Sequence, residues 1–519
     1  MYHLESNEHA DYKGPDSGDA TAPSDRDDNH TQSPSERLDS NSIDSGYSHS
    51  HPHIALEAHW SEDESSNRVS ERQHISSVQD SEMHLSNISS SITHPTDYCL
   101  LEAGSIEREQ ITDDALEAAL TGASVYRNVS AWPFKDPAEA KLMRYFIEKV
   151  ARRFDLCDPD RHFALVVPWR AAFCPPLLDA SLALSARCLS RTTDFDPLIS
   201  NRYYQRCLKA LIPTFEIADA LKNQDLFAAV VLLRTLEEID GPLSGSNSQS
   251  HLIGGHLFAS ASASELATSM WPAEDPGEPD RLNNLQHAAL MVAFRQEVYT
   301  AFACQRPVLP TFYIPPIDRC LDNPADDGTW TYRIMIHLVD ALKFCLGDEP
   351  ITLERSIRRH SQLLSYAEEW YAKKPRSFNA LFYGENSQAV SNNHKRFIAT
   401  EIWILNDAAA TGLLNYHLLR ILLLSFDPHI PRLGPLRAQC LKRQDEEIKQ
   451  EVKMCIGLAE GNVECAPHFL LASLGIALVV DRFQEQWEQE DLMKFLKRAE
   501  TLHGWSTLTA QGHLSGNHG

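Results

Sequence analysis

The segment DLFAAVVLLRTLEEIDGP, Asp225 to Pro242, has apolar residues on almost every face of the helix that its composition predicts. A helix that is apolar all round must be buried, because none of its faces is suited to water. Asp225 marks the predicted start, and the pair Gly241–Pro242 marks the end. The segment therefore predicts a helix at the centre of a large domain, surrounded by other helices.

The flanking segments have the pattern of amphipathic helices. In DPAEAKLMRYFIEKVARRFD (136–155), Asp136 is placed to cap a helix that begins with Pro137. Apolar residues recur there every four positions, as on one helix face, at Leu142, Phe146, Val150 and Phe154. Further helices are predicted at 175–191, 197–215, 282–305, 331–346, 351–372, 402–425, 442–459, 467–487 and 489–502.

Segments that alternate as strands do are almost absent. The best candidate is FALVVPW (163–169), and Pro168 interrupts it. The predicted fold class is therefore all-α. We expect one large helical domain over 133–505, followed by an irregular tail at 506–519. The domain is larger than a single core usually becomes, so its size allows two helical lobes.

Residues 1–132 differ sharply in composition from the rest of the chain. They are acidic and rich in Ser, His, Asn and Asp, with isolated apolar residues. Such a segment buries too little apolar surface to offset the entropy of ordering, so it is predicted to be disordered, with a short helix near 107–120. HIALEAHWSEDESS (53–66) interleaves apolar and acidic residues, as disordered activation segments do, although a plain solvated tail has the same composition.

The overall charge restricts the partners. The chain has 519 residues and a net charge of −25 at pH 7, which argues against bulk attraction to nucleic acid or to an anionic membrane. Its longest apolar runs, from Ile421 and from Phe469, are shorter than the ~20 residues of a membrane helix. The first residues lack the pattern of a signal peptide. No membrane partner is expected.

The 11 cysteines do not have the spacing of a zinc site. A structural site uses cysteines two to four residues apart, whereas Cys455 and Cys465, the nearest in sequence, are ten apart. We therefore expect reduced thiols, no metal and no cofactor. Cys174 stands before Pro175 at a predicted helix start, where the dipole lowers a thiol pKa. It is the one candidate reactive thiol, and an ordinary helix-entry residue is the alternative.

The enzyme-like motifs in the sequence are incomplete. DDALE, from Asp113, has the form of the magnesium-binding aspartates of isoprenoid synthases. The second element that such enzymes need is missing, because NDAAATGLLNY, from Asn406, has Thr411 and Leu414 where polar ligands are required. No catalytic residue is therefore assigned, and an isoprenoid-synthase-like enzyme remains a remote alternative.

Charged residues interrupt the apolar faces of the predicted helix HAALMVAFRQEVYTAFACQRP (287–307). Arg295 shares a face with Tyr299, and Glu297 lies on another apolar face. A buried charge is costly unless it is paired, so both need partners, for which Glu237 and Glu238 are the candidates. His417, within LLNYHLLRILLLSF (413–426), is a similar case. These six residues predict either a structural polar network or the wall of a regulatory ligand pocket.

The same segments resemble the C-terminal regulatory domain of the fungal zinc-cluster transcription factors, the fungal-specific transcription factor domain. The similar segments occur in order along 133–430, with weaker similarity to about 503: FDLCDPDRHFALVVPWRAAFCPPLLDASLALSARCLSR, YYQRCLKALIP, LFAAVVLLRTLEEID, HLIGGHL, AFRQEVYTAFACQRPV, DALKFCLG and EIWILNDAAATGLLNYHLLRILLLSFDP. The resemblance implies a helical regulatory domain, a nuclear location and control of transcription by RNA polymerase II. Domains of this family are thought to mediate dimerisation, effector sensing or restraint of activation.

One feature of that family is not found in the chain. The family's basic DNA-binding module holds two zinc ions with six cysteines, CxxC pairs included, and no CxxC occurs here. We therefore expect no DNA-binding residues and indirect contact with DNA, through a transcription factor or coactivator partner, with a homo- or heterodimer compatible. A helical scaffold or interaction protein is the main alternative.

Overall fold

The helix predicted to lie at the centre of the domain runs from Gln224 to Asp240 in the computed structural model of the protein. The structure describes residues 125–217, 220–241, 258–260, 285–348, 351–385, 397 and 400–515. Asn223 caps the helix, because its side-chain oxygen accepts hydrogen bonds from the backbone N–H groups of Asp225 and Leu226. The helix is buried along most of its length and ends at Gly241, as expected.

The fold is mostly helical, which confirms the all-α prediction. The described residues form fourteen α-helices and one two-stranded sheet. The helices are α1 Pro137–Tyr145, α2 His162–Leu165, α3 Val167–Ala171, α4 Pro175–Thr192, α5 Pro197–Leu211, α6 Gln224–Asp240, α7 Leu285–Ala303, α8 Asp327–Leu346, α9 Leu353–Lys373, α10 Asp407–Ser425, α11 Pro435–Glu460, α12 Ala466–Leu478, α13 Gln486–His503 and α14 Leu508–Leu514, and the strands are β1 Phe382–Glu385 and β2 Thr400–Trp403.

Three buried helices, α6, α7 and α10, organise the core. The central helix α6 packs against α4 and α7, and α10 packs against α8, α11 and α12. Helix α7 contacts α6 on one side and α8 and α12 on the other, so it joins the two groups. All of these helices lie within one compact unit, Ser81–Gly519. The C-terminal ends of α6 and α7 lie around one cavity together with α12 and the helices that follow it.

Helix α10 is apolar and long enough, by length and composition alone, to cross a membrane. In its most apolar window, 78% of the residues are buried inside the helical unit. This burial is what a core helix requires, and it explains why apolar residues occur on every face of α10.

A β-hairpin was not foreseen. The helix predicted over 402–425 begins only at Asp407, because Asn406 caps it and Thr400–Trp403 form a strand instead. This strand pairs antiparallel with Phe382–Glu385, in a register that places Phe382 opposite Trp403. The sequence TEIW is short and rich in residues that favour strands, but a strand of four residues carries little periodic signal.

Several further segments differ from the prediction, among them the helix predicted over 442–459, which begins at Pro435. The segment FALVVPW belongs to α2 and α3, and the helix predicted over 467–487 ends at Leu478. The expected irregular tail at 506–519 contains α14, whose Ala510 and Leu514 are buried. Tertiary packing against α12 and α13 stabilises this short helix, which has little intrinsic helix signal.

The hairpin and α11 approach each other closely. A Cβ atom on Gly461, at the C-terminal end of α11, would lie 1.9 Å from the backbone oxygen of Ile402 in β2. A Cβ atom on Gly457 would lie 3.1 Å from side-chain atoms of Ile402. Only glycine leaves room for this contact between the helix and the strand.

Several expectations lie outside the described residues. These are the disorder of 1–124, the short helix near 107–120, the DDALE segment and the HLIGGHL segment. Within the described part, residues 125–132 contain no helix or strand, but they lie against the start of the helical unit. Arg127 and Ala131 donate backbone hydrogen bonds to the carbonyls of Phe173 and Ala172, so the ordered unit begins before 133.

Candidate functional site: a cavity beside a buried charge network

Arg295 is buried on α7, as its apolar face predicted. Its side chain is 4% exposed, and Nη2 donates to the backbone oxygens of Arg153, at 2.9 Å, and Phe154, at 3.2 Å. The second terminal nitrogen, Nη1, has no hydrogen-bond partner among the described residues. The expected partners of Arg295 were Glu237 and Glu238. The observed partners of Arg295 are main-chain carbonyls instead, because Glu238 pairs with a different arginine.

Arg234 on α6 is the actual partner of Glu238. Its Nε donates to the Glu238 carboxylate at 3.2 Å, and its Nη2 donates to the hydroxyl of Thr300 at 2.8 Å. The same guanidinium lies 3.9 Å from Glu297, whose side chain is fully buried. Glu297 also accepts from Arg306 at 2.8 Å and from the backbone N–H of Leu309 at 3.2 Å. The buried charges are therefore paired, as the cost of burial requires.

Not all of the predicted residues belong to this network. Glu237 accepts a hydrogen bond from the hydroxyl of Tyr204 at 2.9 Å. Tyr299 is buried beside Arg295 and accepts from the Asn415 amide at 3.3 Å. His417 lies apart, and its Nδ1 contacts the carboxylate of Glu451 at 2.6 Å.

Cys174 is buried, contrary to what a reactive thiol needs. Burial, followed by the nearby carboxylate of Asp225, raises the pKa of this thiol to about 12. This shift is opposite to the one expected from the dipole of α4, because desolvation disfavours the thiolate. The structure therefore favours the helix-entry interpretation of Cys174.

A cavity of about 280 Å³ lies between the end of α6, the end of α7 and the helices α12, α13 and α14. Its wall is mainly apolar and includes Phe469, Leu470 and Ala477 from α12. Gly504 ends α13 in the left-handed conformation, φ 75°, and so directs the chain to Trp505. Trp505 lines the cavity together with His503. The size and apolar lining are typical of sites for small organic molecules.

Three of the predicted residues, Glu238, Arg295 and Tyr299, line this cavity or the one beside it. A smaller adjoining cavity, about 40 Å³, is lined by Arg295, Gln296 and Tyr299. Both cavities share Glu238, Leu470 and Trp505 as lining residues. Five buried polar atoms on residues that line these cavities have no partner within the described part of the chain: Arg153 Nη1, Arg295 Nη1, Gln296 Oε1, Trp505 Nε1 and His503 Nε2. A polar ligand group that reached these atoms could satisfy their hydrogen-bonding capacity.

Two titratable groups of the lining have shifted pKa values. Burial raises the pKa of Glu238 to about 7, although the Arg234 guanidinium acts in the opposite direction. Burial and the positive charge of Arg153 lower the pKa of His503 to about 4. At neutral pH, His503 is therefore uncharged, and Glu238 is close to its titration midpoint.

Replacing Glu238 by glutamine is expected to change how stability depends on pH. The ordinary glutamate pKa is 4.5, so between about pH 4.5 and 7 the folded state holds a proton that the unfolded state has lost. The wild-type free energy of unfolding should therefore fall as pH rises through this window, by at most about 1.4 kcal/mol per pH unit. Urea unfolding from about pH 4 to 8 measures this free energy at each pH. The difference between wild type and Glu238→Gln should fall with pH in that window and be flat outside it, whereas exposed Glu485→Gln should show no such slope.

Sequence reasoning identified part of this site and missed the rest. Arg234 interrupts the apolar faces of α6, so the reasoning that singled out Arg295 applies to it as well. His503 and Trp505 had no such signal, because their burial depends on the packing of α13 and α14. The isoprenoid-synthase alternative gains no support, since Asn406 caps α10 and Asp407 forms two hydrogen bonds with Arg152, at 2.6 and 2.9 Å.

No protein-family model matches this chain, and it has no significant match among curated proteins or among solved structures. The resemblance to the fungal zinc-cluster regulators therefore depends on the sequence segments alone.

Proposed function

We propose that this protein is an effector-responsive regulator of transcription by RNA polymerase II, similar to the fungal zinc-cluster regulators. It acts in the nucleus through its helical domain and reaches DNA through a partner protein. The ordered series of family-like segments along 133–430 supports this assignment. The mostly helical fold is compatible with it.

The observation that carries the effector role is the position of the cavity. It lies where the core helices α6 and α7 meet the C-terminal helices α12–α14. A molecule in the cavity contacts both groups and therefore stabilises one arrangement of them over others. Such differential binding is what a ligand needs in order to shift a conformational equilibrium.

The lining defines the chemical class of the effector. Most of the wall is apolar, and residues of the lining, among them Arg295 and Trp505, carry buried polar atoms without a partner among the described residues. Arg295 Nη1 and Trp505 Nε1 are donors, so they suit a carbonyl, hydroxyl or carboxylate oxygen. The effector is therefore a small apolar molecule with an oxygen-containing group at one end.

A tethered reporter assay tests this function. The full chain is fused to an unrelated DNA-binding domain, and output from a reporter gene is measured against the DNA-binding domain alone. We expect the fusion to change reporter output, because regulation does not depend on DNA binding by the chain itself. A fusion that is expressed at the same level and leaves the output unchanged would favour the scaffold interpretation instead.

Filling the cavity is expected to change this output without loss of protein. Ala477 lines the cavity from α12, so Ala477→Phe places a ring in the space that an effector uses. Ala438→Phe is the control, because Ala438 is exposed on α11 and away from the cavity. Equal reporter output from both variants, at equal protein level, would show that the cavity has no regulatory role.

A further inference from the structure

A group of three potential metal ligands lies between α9 and the segment that follows α10. His360 is on α9, and Asp427 and His429 follow the end of α10. One ligand atom from each of them lies within 4.8 Å of the other two. His360 is 5% exposed, whereas the side chain of His429 is 48% exposed. The group therefore connects the protein interior to solvent.

The hydrogen bonding of His360 leaves one ring nitrogen available. Its Nε2 lies 3.0 Å from the backbone oxygen of Leu423, in the last turn of α10. This contact requires the Nε2–H tautomer, since a carbonyl only accepts. Nδ1 then carries a lone pair, and it is buried with no partner among the described residues. A histidine that donates one N–H to a carbonyl and keeps the other nitrogen free has the arrangement typical of metal ligands.

Asp427 and His429 are held in place by a local turn. The Asp427 carboxylate accepts from the backbone N–H of His429 at 2.9 Å and contacts the ring nitrogen Nδ1 at 2.7 Å. The intervening Pro428 limits the freedom of the turn. Both side chains are therefore kept near His360 before any ion binds. The exposed side of His429 gives an ion access from solvent.

We propose that His360 Nδ1, the His429 imidazole and the Asp427 carboxylate bind one divalent transition-metal ion. Two imidazoles and one carboxylate suit Zn²⁺, Co²⁺ or Ni²⁺, whereas Mg²⁺ and Ca²⁺ prefer sites made of oxygen ligands. Water completes the coordination. The ion links α9 to the segment after α10. The expectation of no metal was based on cysteine spacing, which is blind to ligands this far apart in sequence.

A second group, formed by Asp407, Cys465 and His468, is a weaker candidate. Both oxygens of Asp407 already accept from Arg152. Burial and the Asp407 carboxylate also raise the pKa of Cys465, so the thiolate that a metal needs is disfavoured. In the group around His360, by contrast, the contacts of Asp427 with His429 use only one carboxylate oxygen, and no thiolate is needed.

Cobalt binding to the full chain tests the proposal. The N-terminal histidines His49, His51 and His53 offer an unrelated binding site, so all proteins carry asparagine at these three positions. Co²⁺ is titrated while its visible absorption is recorded, and Zn²⁺ affinity is then obtained by competition. We expect one Co²⁺ per chain with absorption bands of nitrogen and oxygen coordination, which Zn²⁺ displaces.

Replacing His429 by asparagine should weaken binding by at least about 100-fold, since loss of even an outer-shell partner costs 10–100-fold. His429 is half-exposed, so the metal-free variant should unfold at the same urea concentration as its parent. Zn²⁺ should raise the unfolding midpoint of the parent and not of the variant. His287→Asn, at an exposed histidine on α7, is the control and should bind normally. Equal Co²⁺ affinity in His429→Asn and its parent would overturn the proposal.

Discussion

Replacing Arg234 by methionine is expected to lower the free energy of unfolding by about 3–5 kcal/mol. The methionine fills similar space but removes the only positive charge that forms an ion pair with Glu238 within the described residues, at 3.2 Å. It also removes the charge 3.9 Å from the fully buried Glu297. Each carboxylate then has less compensation for the water that it lost on folding.

Urea unfolding of purified wild type and variants at about pH 9, where Glu238 is ionised in the wild type, measures this change. Glu238 is expected to respond most, because Glu297 keeps its contact with Arg306. Adding Glu238→Gln to Arg234→Met should therefore recover part of the loss, since a neutral amide costs less to bury. Arg432→Met, at an exposed position, should change stability by no more than about 0.5 kcal/mol. An Arg234→Met protein as stable as this control would contradict the network described here.

Replacing Arg295 by alanine is expected to cost roughly 2–5 kcal/mol. The carbonyls of Arg153 and Phe154 lose their charged donor, and the removed side chain leaves a void in the core. Thermal or urea unfolding of the purified protein gives the measurement. A variant with wild-type stability would show that this guanidinium does not hold the two carbonyls.

The lysine variant separates a structural role of Arg295 from a regulatory one. Lysine keeps the charge but lacks the planar fork of donors, so the lining of the smaller cavity changes while the protein remains folded. Arg333→Lys is a matched control. Arg333 is buried on α8 and donates to the carbonyls of Asp318 and Asn323, but it does not line the cavity. If the cavity binds an effector, Arg295→Lys should alter reporter output at normal protein level and Arg333→Lys should not. Parallel behaviour of the two variants would leave Arg295 a purely structural role.

The sequence was a good guide where periodicity and burial act over many residues. Helices α6 and α7 were foreseen because apolar residues cover their faces, and the burial of Arg295 and Glu297 was foreseen because each interrupts such a face. The partners were not foreseen. Pairing depends on which helices are neighbours, and nothing local to α7 indicates that Arg234 lies beside Glu297.

Features formed by short segments also could not be predicted from the sequence. The strand Thr400–Trp403 and the helix Leu508–Leu514 are each too short to carry a clear period, and both depend on tertiary contacts. The cavity is bounded by residues at the ends of α6 and α7 and by residues of α12, α13 and α14, so its existence follows only from the packed arrangement. The group around His360 is similar, because its members come from separate elements.

The close contact between Gly461 and the hairpin limits how the protein can diverge during evolution. The Cβ of any side chain at position 461 would lie 1.9 Å from the Ile402 carbonyl oxygen, which is too close for both atoms to fit. A lineage can therefore replace this glycine only if β2 shifts in the same step or has shifted before. Surface positions of α11 such as Ala438 have no such restriction. The end of α11 and the hairpin should accordingly be inherited as one unit, while the start of α11 varies freely among descendants.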